Sequence, residues 1–156
     1  MPVDVTLPLT GSCQCGNITY VATQAPLASL ACHCTECQKL SSSVYSTALV
    51  FNTEAITFEG EFATWERTSV SGRRNIAYFC PTCGNRIYHF DPDMPEVTRL
   101  KSGTLDSGPI PAVQVNQWLA SKPDWVPIGD DVPRYPEGMS PEERKALVGF
   151  GFRPDD

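Results

Sequence analysis

Seven cysteines are the residues of this chain best suited to chemistry, and they fall into three tight groups with none elsewhere. An odd number cannot pair completely into disulfides, and clustered thiols in a reducing compartment point to metal. Cys13-Gln14-Cys15-Gly16 and Cys80-Pro81-Thr82-Cys83-Gly84 are two short chelating turns. Together they offer four thiolates, the full donor set of a closed tetrahedral site with sulfur at ~2.3 Å. Zinc and iron both accept four sulfurs, so spacing alone does not choose between them. A disulfide across Cys13 and Cys15 would be strained. The glycine after each second cysteine suits a positive φ or a close approach of a backbone N–H to sulfur.

The middle group, Cys32-His33-Cys34-Thr35-Glu36-Cys37, supplies three thiolates and leaves no further cysteine. Three ligands leave a coordination position for water or a substrate thiol, and a metal open in this way lowers the pKa of what it binds and polarises a carbonyl. The alternative is a second structural zinc completed by His33, His89, Glu36 or another carboxylate. His33 stands between two ligands, which makes chelation of the same ion awkward and suits a hydrogen bond behind the ligands, or packing. His89, within Tyr88-His89-Phe90, reads as a strand histidine. Glu36 is a candidate proton acceptor or a solvated carboxylate. Arg73, Arg74 and Arg86 are candidate anchors for a substrate carboxylate. Arg73-Arg74 beside Gly72 also reads as a solvated turn, and Arg86 as a partner of the adjacent cysteine turn. Tyr45, Trp65 and Tyr78 can line a pocket, or serve as core at strand spacing.

The elements that must hold these groups are mostly strands. Ile18 to Thr23, Val44 to Phe51, Ala55 to Glu59, Phe62 to Arg67, Asn75 to Phe79, Ile87 to Phe90 and Glu96 to Ser102 are rich in β-branched and aromatic residues. Asn52-Thr53, Gly60 and Ser71-Gly72 separate several of them as turns. This spacing predicts a mainly β fold, a small metal-stabilised antiparallel sheet domain. Ten of the fourteen prolines lie between Pro92 and Pro154, and proline cannot donate to an interior ladder. That region reads as an ordered wrap, with Trp118 and Trp125 packed on the body. A short C-terminal helix begins at Ser140-Pro141-Glu142-Glu143, a capping box with proline at the first helical position, and Gly149 or Gly151 can stop it.

With 156 residues, 41% hydrophobic and 19% charged, the expectation is one domain over 1–156, a core at about 9–136 and a helical extension at about 137–156. The net charge of −6 is the wrong sign for gripping phosphate backbones, so nucleic acid is not expected as a partner. Apolar runs such as Ala48 to Phe51 are far shorter than a membrane span. Met1 to Val5 lacks a basic and apolar leader, which sets the expectation of a cytoplasmic protein. Oligomeric state is not readable from the sequence.

Gly11-Ser12-Cys13-Gln14-Cys15-Gly16, Cys32-His33-Cys34-Thr35-Glu36-Cys37-Gln38-Lys39 and Phe79-Cys80-Pro81-Thr82-Cys83-Gly84 together resemble the glutathione-dependent formaldehyde-activating family, which includes centromere protein V. The resemblance continues through Gly103-Thr104-Leu105-Asp106, Lys122-Pro123-Asp124-Trp125 and Pro133-Arg134-Tyr135. It implies a small β-rich fold with two zinc ions. Cys13, Cys15, Cys80 and Cys83 would hold the structural ion, and Cys32, Cys34 and Cys37 a second, catalytic and more labile one. The implied activity is condensation of glutathione with formaldehyde to S-hydroxymethylglutathione, a carbon-sulfur lyase reaction, so the implied partners are a small-molecule thiol and an aldehyde. Three thiolates on Zn²⁺ leave a charge of about −1, which favours thiol chemistry over water activation. Two other readings stand beside it: a non-catalytic zinc module for protein association, and a redox or zinc sensor using Cys32, Cys34 and Cys37.

Overall fold

Short strands pair into two sheets, described over residues 3–148 in a computed structural model. In chain order the strands are β1 (Leu9–Ser12), β2 (Thr19–Ala22), β3 (Ala28–Cys32), β4 (Ser46–Asn52) and β5 (Ile56–Glu59). Then follow β6 (Ala63–Thr68), β7 (Arg74–Phe79), β8 (Arg86–Phe90), β9 (Val97–Lys101) and β10 (Val115–Gln117). Helix α1 (Thr35–Ser41) follows β3, and α2 (Pro141–Val148) follows the proline-rich segment. The small sheet has the order β1-β2-β5, and the large one β10-β3-β4-β9-β8-β7-β6. Pairing is antiparallel except between β10 and β3, where the long connection lets the chain return in the same direction.

The two faces of the large sheet differ. On one, Leu49 and Phe51 of β4 with Leu100 of β9 pack against Leu9, Tyr20 and Ala22 of the small sheet, with Ile18 and Ile87. Each fully buried large apolar side chain stabilises the fold by about 1.5–3 kcal/mol. Cys13 and Cys80 belong to this same core. Phe58, Phe62, Tyr78 and Tyr88 extend it as an aromatic cluster, with Tyr78 and Tyr88 stacked at 4.5 Å. On the opposite face Ala28, Leu30, Ala48, Val50 and Val97 meet Met94, Val115 and Met139. That face also carries Arg99 and Lys101, opposite Val50 and Ala48.

Over the described residues the proline-rich segment is ordered, as expected. Asn116 N–H donates to the Pro133 carbonyl and Tyr135 N–H to the Asn116 carbonyl, both at 2.9 Å, Trp118 N–H donates to the Glu137 carbonyl at 3.0 Å, and the Trp118 indole lies over Gly138. Trp125 is a correction: it is 75% exposed and does not pack on the body. The adjoining Val126 takes the buried position instead. At α2 the Ser140 hydroxyl accepts from Glu143 N–H at 3.2 Å and the Glu143 carboxylate accepts from Ser140 N–H at 2.7 Å, the expected capping box. Gly149 and Gly151, read as its stop, lie outside the described residues.

Candidate metal centre and cavity

The loop joining β1 to β2 and the loop joining β7 to β8 bring Cys13 and Cys15 to Cys80 and Cys83, with all four sulfurs within 4.8 Å of one another. Cys13 and Cys15 are 3.5 Å apart and Cys15 and Cys80 3.6 Å. A tetrahedron of sulfurs at ~2.3 Å from one ion has edges of about 3.8 Å, so the donor set fits such an ion. Gly16 and Gly84 have φ of 80° and 76°, a conformation costly for any residue with a Cβ. A Cβ at either would meet nothing within 4 Å, so the constraint is backbone conformation alone. The tight turns aim amides at sulfur. Ile18 N–H donates to Cys13 Sγ at 3.3 Å and Cys83 N–H to Cys80 Sγ at 3.5 Å. Backbone N–H groups of Asn85 and then Cys15 hold the Cys83 thiol down at about 6.

The second group forms where β3 ends and α1 begins. Cys32 closes the strand. Cys34 is the N-cap of α1, its sulfur accepting from Cys37 N–H at 3.4 Å, and Cys37 lies one turn into the helix. Their three sulfurs also lie within 4.8 Å of one another. Hydrogen bonds from Cys32 and then Cys37 hold Cys34 as a thiolate far below its ordinary value, while making those bonds pushes Cys32 up. Among the described residues no histidine, aspartate or glutamate joins this trio. The sites could hold metal ions, one with four sulfurs and one with three.

His33 turns away from the thiols. It is fully buried, its Nε2 lies 3.0 Å from Asn116 Oδ1 on β10, and its ring packs on Tyr45 at 5.0 Å. Gln38 Nε2 donates at 2.9 Å to both the His33 and Ser121 carbonyls, tying α1 to the wrap. Glu36 is engaged rather than free, accepting from the Arg67 guanidinium of β6 and from Val70 N–H at 3.2 Å.

The three thiols open onto a cavity of about 170 Å³ on the second face of the large sheet. Arg67, Arg73, Arg74, Arg99, Lys101 and Arg144 line it, against the carboxylates of Glu36 and Asp91. Six cations in one cavity of a chain with net charge −6 make it a local basin for anions. Lys101 donates to Ser46 Oγ at 3.1 Å; burial lowers its pKa, while the nearby Cys37 and Cys32 sulfurs oppose that shift. Burial, then Arg73 and Arg144, bring Arg99 down to about 10, so it stays charged at neutral pH. His89 also lines the cavity, and burial with Lys101 and Arg99 nearby keeps its pKa well below the usual value, leaving it neutral.

Of the arginines singled out from the sequence, Arg73 and Arg74 reach this cavity, Arg74 already paired with Glu66 at 2.7 Å. Arg86 does not line it, and its guanidinium lies over Trp65 and Phe79 at 5.8 and 5.5 Å. Tyr45, Trp65 and Tyr78 do not line it either, whereas Trp118 does. Sequence reasoning passed over Arg99, Lys101 and Arg144. The signal for the first two was their i, i+2 spacing on one strand face.

The sequence profile of the glutathione-dependent formaldehyde-activating enzyme family matches residues 8–121. A Halomonas elongata protein named "Putative glutathione-dependent formaldehyde-activating enzyme" is 29% identical over 126 residues, covering 77% of this chain and 80% of that one. The crystal structure of a Rhodobacter sphaeroides protein superposes with a TM-score of 0.51 at 18% identity, covering 64% of this chain and 90% of that one, a likeness of fold. With its cysteine groups gathered as described and most of its length matched, this chain belongs to the glutathione-dependent formaldehyde-activating enzyme family.

Proposed function

We propose that this protein is a zinc enzyme of the carbon-sulfur lyase class that makes and breaks the adduct of glutathione, or a similar thiol, with formaldehyde. The observation that carries this reading is a trio of thiols, without a fourth Cys, His, Asp or Glu partner among the described residues, at one end of a cationic cavity. In this reading Cys13, Cys15, Cys80 and Cys83 hold one zinc, and Cys32, Cys34 and Cys37 hold the other. Zinc held by three thiolates supplies an open position that favours the thiolate form of a bound thiol.

The overall reaction needs no oxidant or reductant. The thiol loses its proton, a sulfur-carbon bond forms as the carbonyl π pair moves to oxygen, and that oxygen takes up a proton. Lys101, beside Cys32 and Cys37, is the residue we assign to give the oxygen its proton, since burial brings its pKa down and eases release, and the proton lost by the thiol then restores it. In this reading Glu36, a candidate proton acceptor or solvated carboxylate, takes a positioning role. Its bonds to Arg67 and Val70 tie the turn between β6 and β7 to α1 and so shape the cavity wall.

Exchange NMR with ¹³C-formaldehyde and glutathione at pH 7 tests this. Interconversion of free aldehyde and adduct should rise in proportion to zinc-loaded protein and return to the uncatalysed rate for Cys34→Ser. A rate unchanged by the wild-type protein refutes the lyase reading.

A further inference from the structure

The cavity has a second end. β4 pairs Ser46 with Cys32, Ala48 with Lys101, and Val50 with Arg99. The Cys32 and Arg99 rows are therefore four residues apart along β4, about 13 Å at ~3.3 Å per residue. At the far end Arg73 and Arg144 lie close enough to Arg99 to repel its charge. None of the three has an ion-pair partner among the described residues. Arg73 makes one long contact to Met94 Sδ at 3.8 Å, and Arg144 Nε is buried with no partner. Asp91 is the one carboxylate lining this end; it offsets part of the charge of Arg99 and Arg144 without forming an ion pair, and its Oδ1 accepts from Asp93 N–H at 2.9 Å.

Unpaired guanidinium groups gathered away from bulk water are costly unless an anion joins them. Their planar forks match a carboxylate, each donating two parallel bonds to it. Arg144, with the cavity-lining Met139 and Leu147, comes from the C-terminal segment beyond residue 121, where the family match ends.

We propose that this segment is a specificity cap. Arg144, Arg99 and Arg73 form a carboxylate subsite, and the substrate is an extended thiol whose carboxylate binds there while its sulfur lies with Cys32, Cys34 and Cys37. The placement of the sulfur rests on the lyase reading above; the anion subsite does not. Short or uncharged thiols such as 2-mercaptoethanol leave the far end unfilled and bind weakly.

The test is calorimetric titration of the zinc-loaded, full-length protein with S-methylglutathione, which keeps both carboxylates and has no thiol proton to lose. Arg99→Met and Arg144→Met should each weaken binding about tenfold or more, as expected for charge-assisted bonds. The diethyl ester of the probe should bind wild-type protein as weakly as the free acid binds the variants. Lys145→Met, an exposed charge on the same helix, should leave affinity unchanged. Circular dichroism and zinc content verify folding, and Arg144, on the peripheral helix, carries the test alone if Arg99→Met does not fold. Equal affinity for wild type and Arg144→Met, equal binding of acid and ester, or an equal loss in Lys145→Met overturns the cap. Probe binding through Arg144 in a protein without turnover keeps the subsite and overturns the lyase reading alone.

Discussion

The four-thiol group joins two turns at the edge of the inter-sheet core, with Cys13 and Cys80 exposed by only 3% and 0%. The three-thiol group joins a strand end to a helix start and opens onto a cavity lined by six cations. In the first, every sulfur faces another sulfur and backbone amides, so a bound ion would be saturated and would tie residues far apart in the chain. In the second, the described residues supply one donor fewer, and the cavity beside it carries charge of the sign that draws a thiolate or carboxylate. On the proposed reading, the difference teaches that ligand count and surroundings, not ligand type, would separate a metal that stabilises from one that reacts.

The contrast is sharpest where one cysteine is removed from each side. Cys83→Ala should leave the chain unfolded or insoluble at 25 °C, because structural zinc binding is worth about 10–16 kcal/mol in small metal domains, against a total stability of about 5–15 kcal/mol. Circular dichroism and solubility report it. Cys34→Ser should cost more than about 100-fold in adduct exchange and one zinc per chain, yet move Tm by only a few degrees. Comparable unfolding in both variants would erase the distinction. Glu36→Gln, which weakens the tie to Arg67, should raise KM for glutathione about threefold with kcat nearly unchanged, as steady-state kinetics would show.

The smallest effect concerns His89. Its folded-state pKa lies well below the usual 6.5, so between the two values the unfolded chain binds the proton and the folded one does not. Stability is therefore full above about pH 6.5 and falls as pH drops through that value. Lowering pH from 7 to 5.5 should reduce the Tm of the zinc-loaded wild type by about 2–4 °C more than that of His89→Gln, read by calorimetry. Equal slopes would mean that His89 is not held neutral beside the cationic cavity.

β2, which alternates in burial, was legible in the sequence, as were β7 with its aromatic and β-branched residues, the cysteine groups and the capping box at Ser140. β3 was not, because all five of its residues are buried and small or apolar, so Ala28 to Cys32 shows no period of two. Helix α1 escaped for a different reason. Its seven residues include none that is buried, and it is started by the Cys34 sulfur rather than by an apolar stripe. The cationic cavity was hidden by topology. Arg99 and Lys101 on β9 look like an ordinary polar strand face, and they meet Arg73 and Arg144 only because separate connections deliver them to one sheet face. Trp125 misled because a large aromatic was taken as a sign of packing, when its neighbour Val126 fills the buried position.

The most direct test of the division between the two groups is ¹¹³Cd NMR of the protein with cadmium in place of zinc, titrated with glutathione. Two signals should appear, and one equivalent of glutathione should move only one of them, toward the position of a four-sulfur site. A single signal, or two that stay fixed or move together, would contradict the assignment of one closed and one open centre.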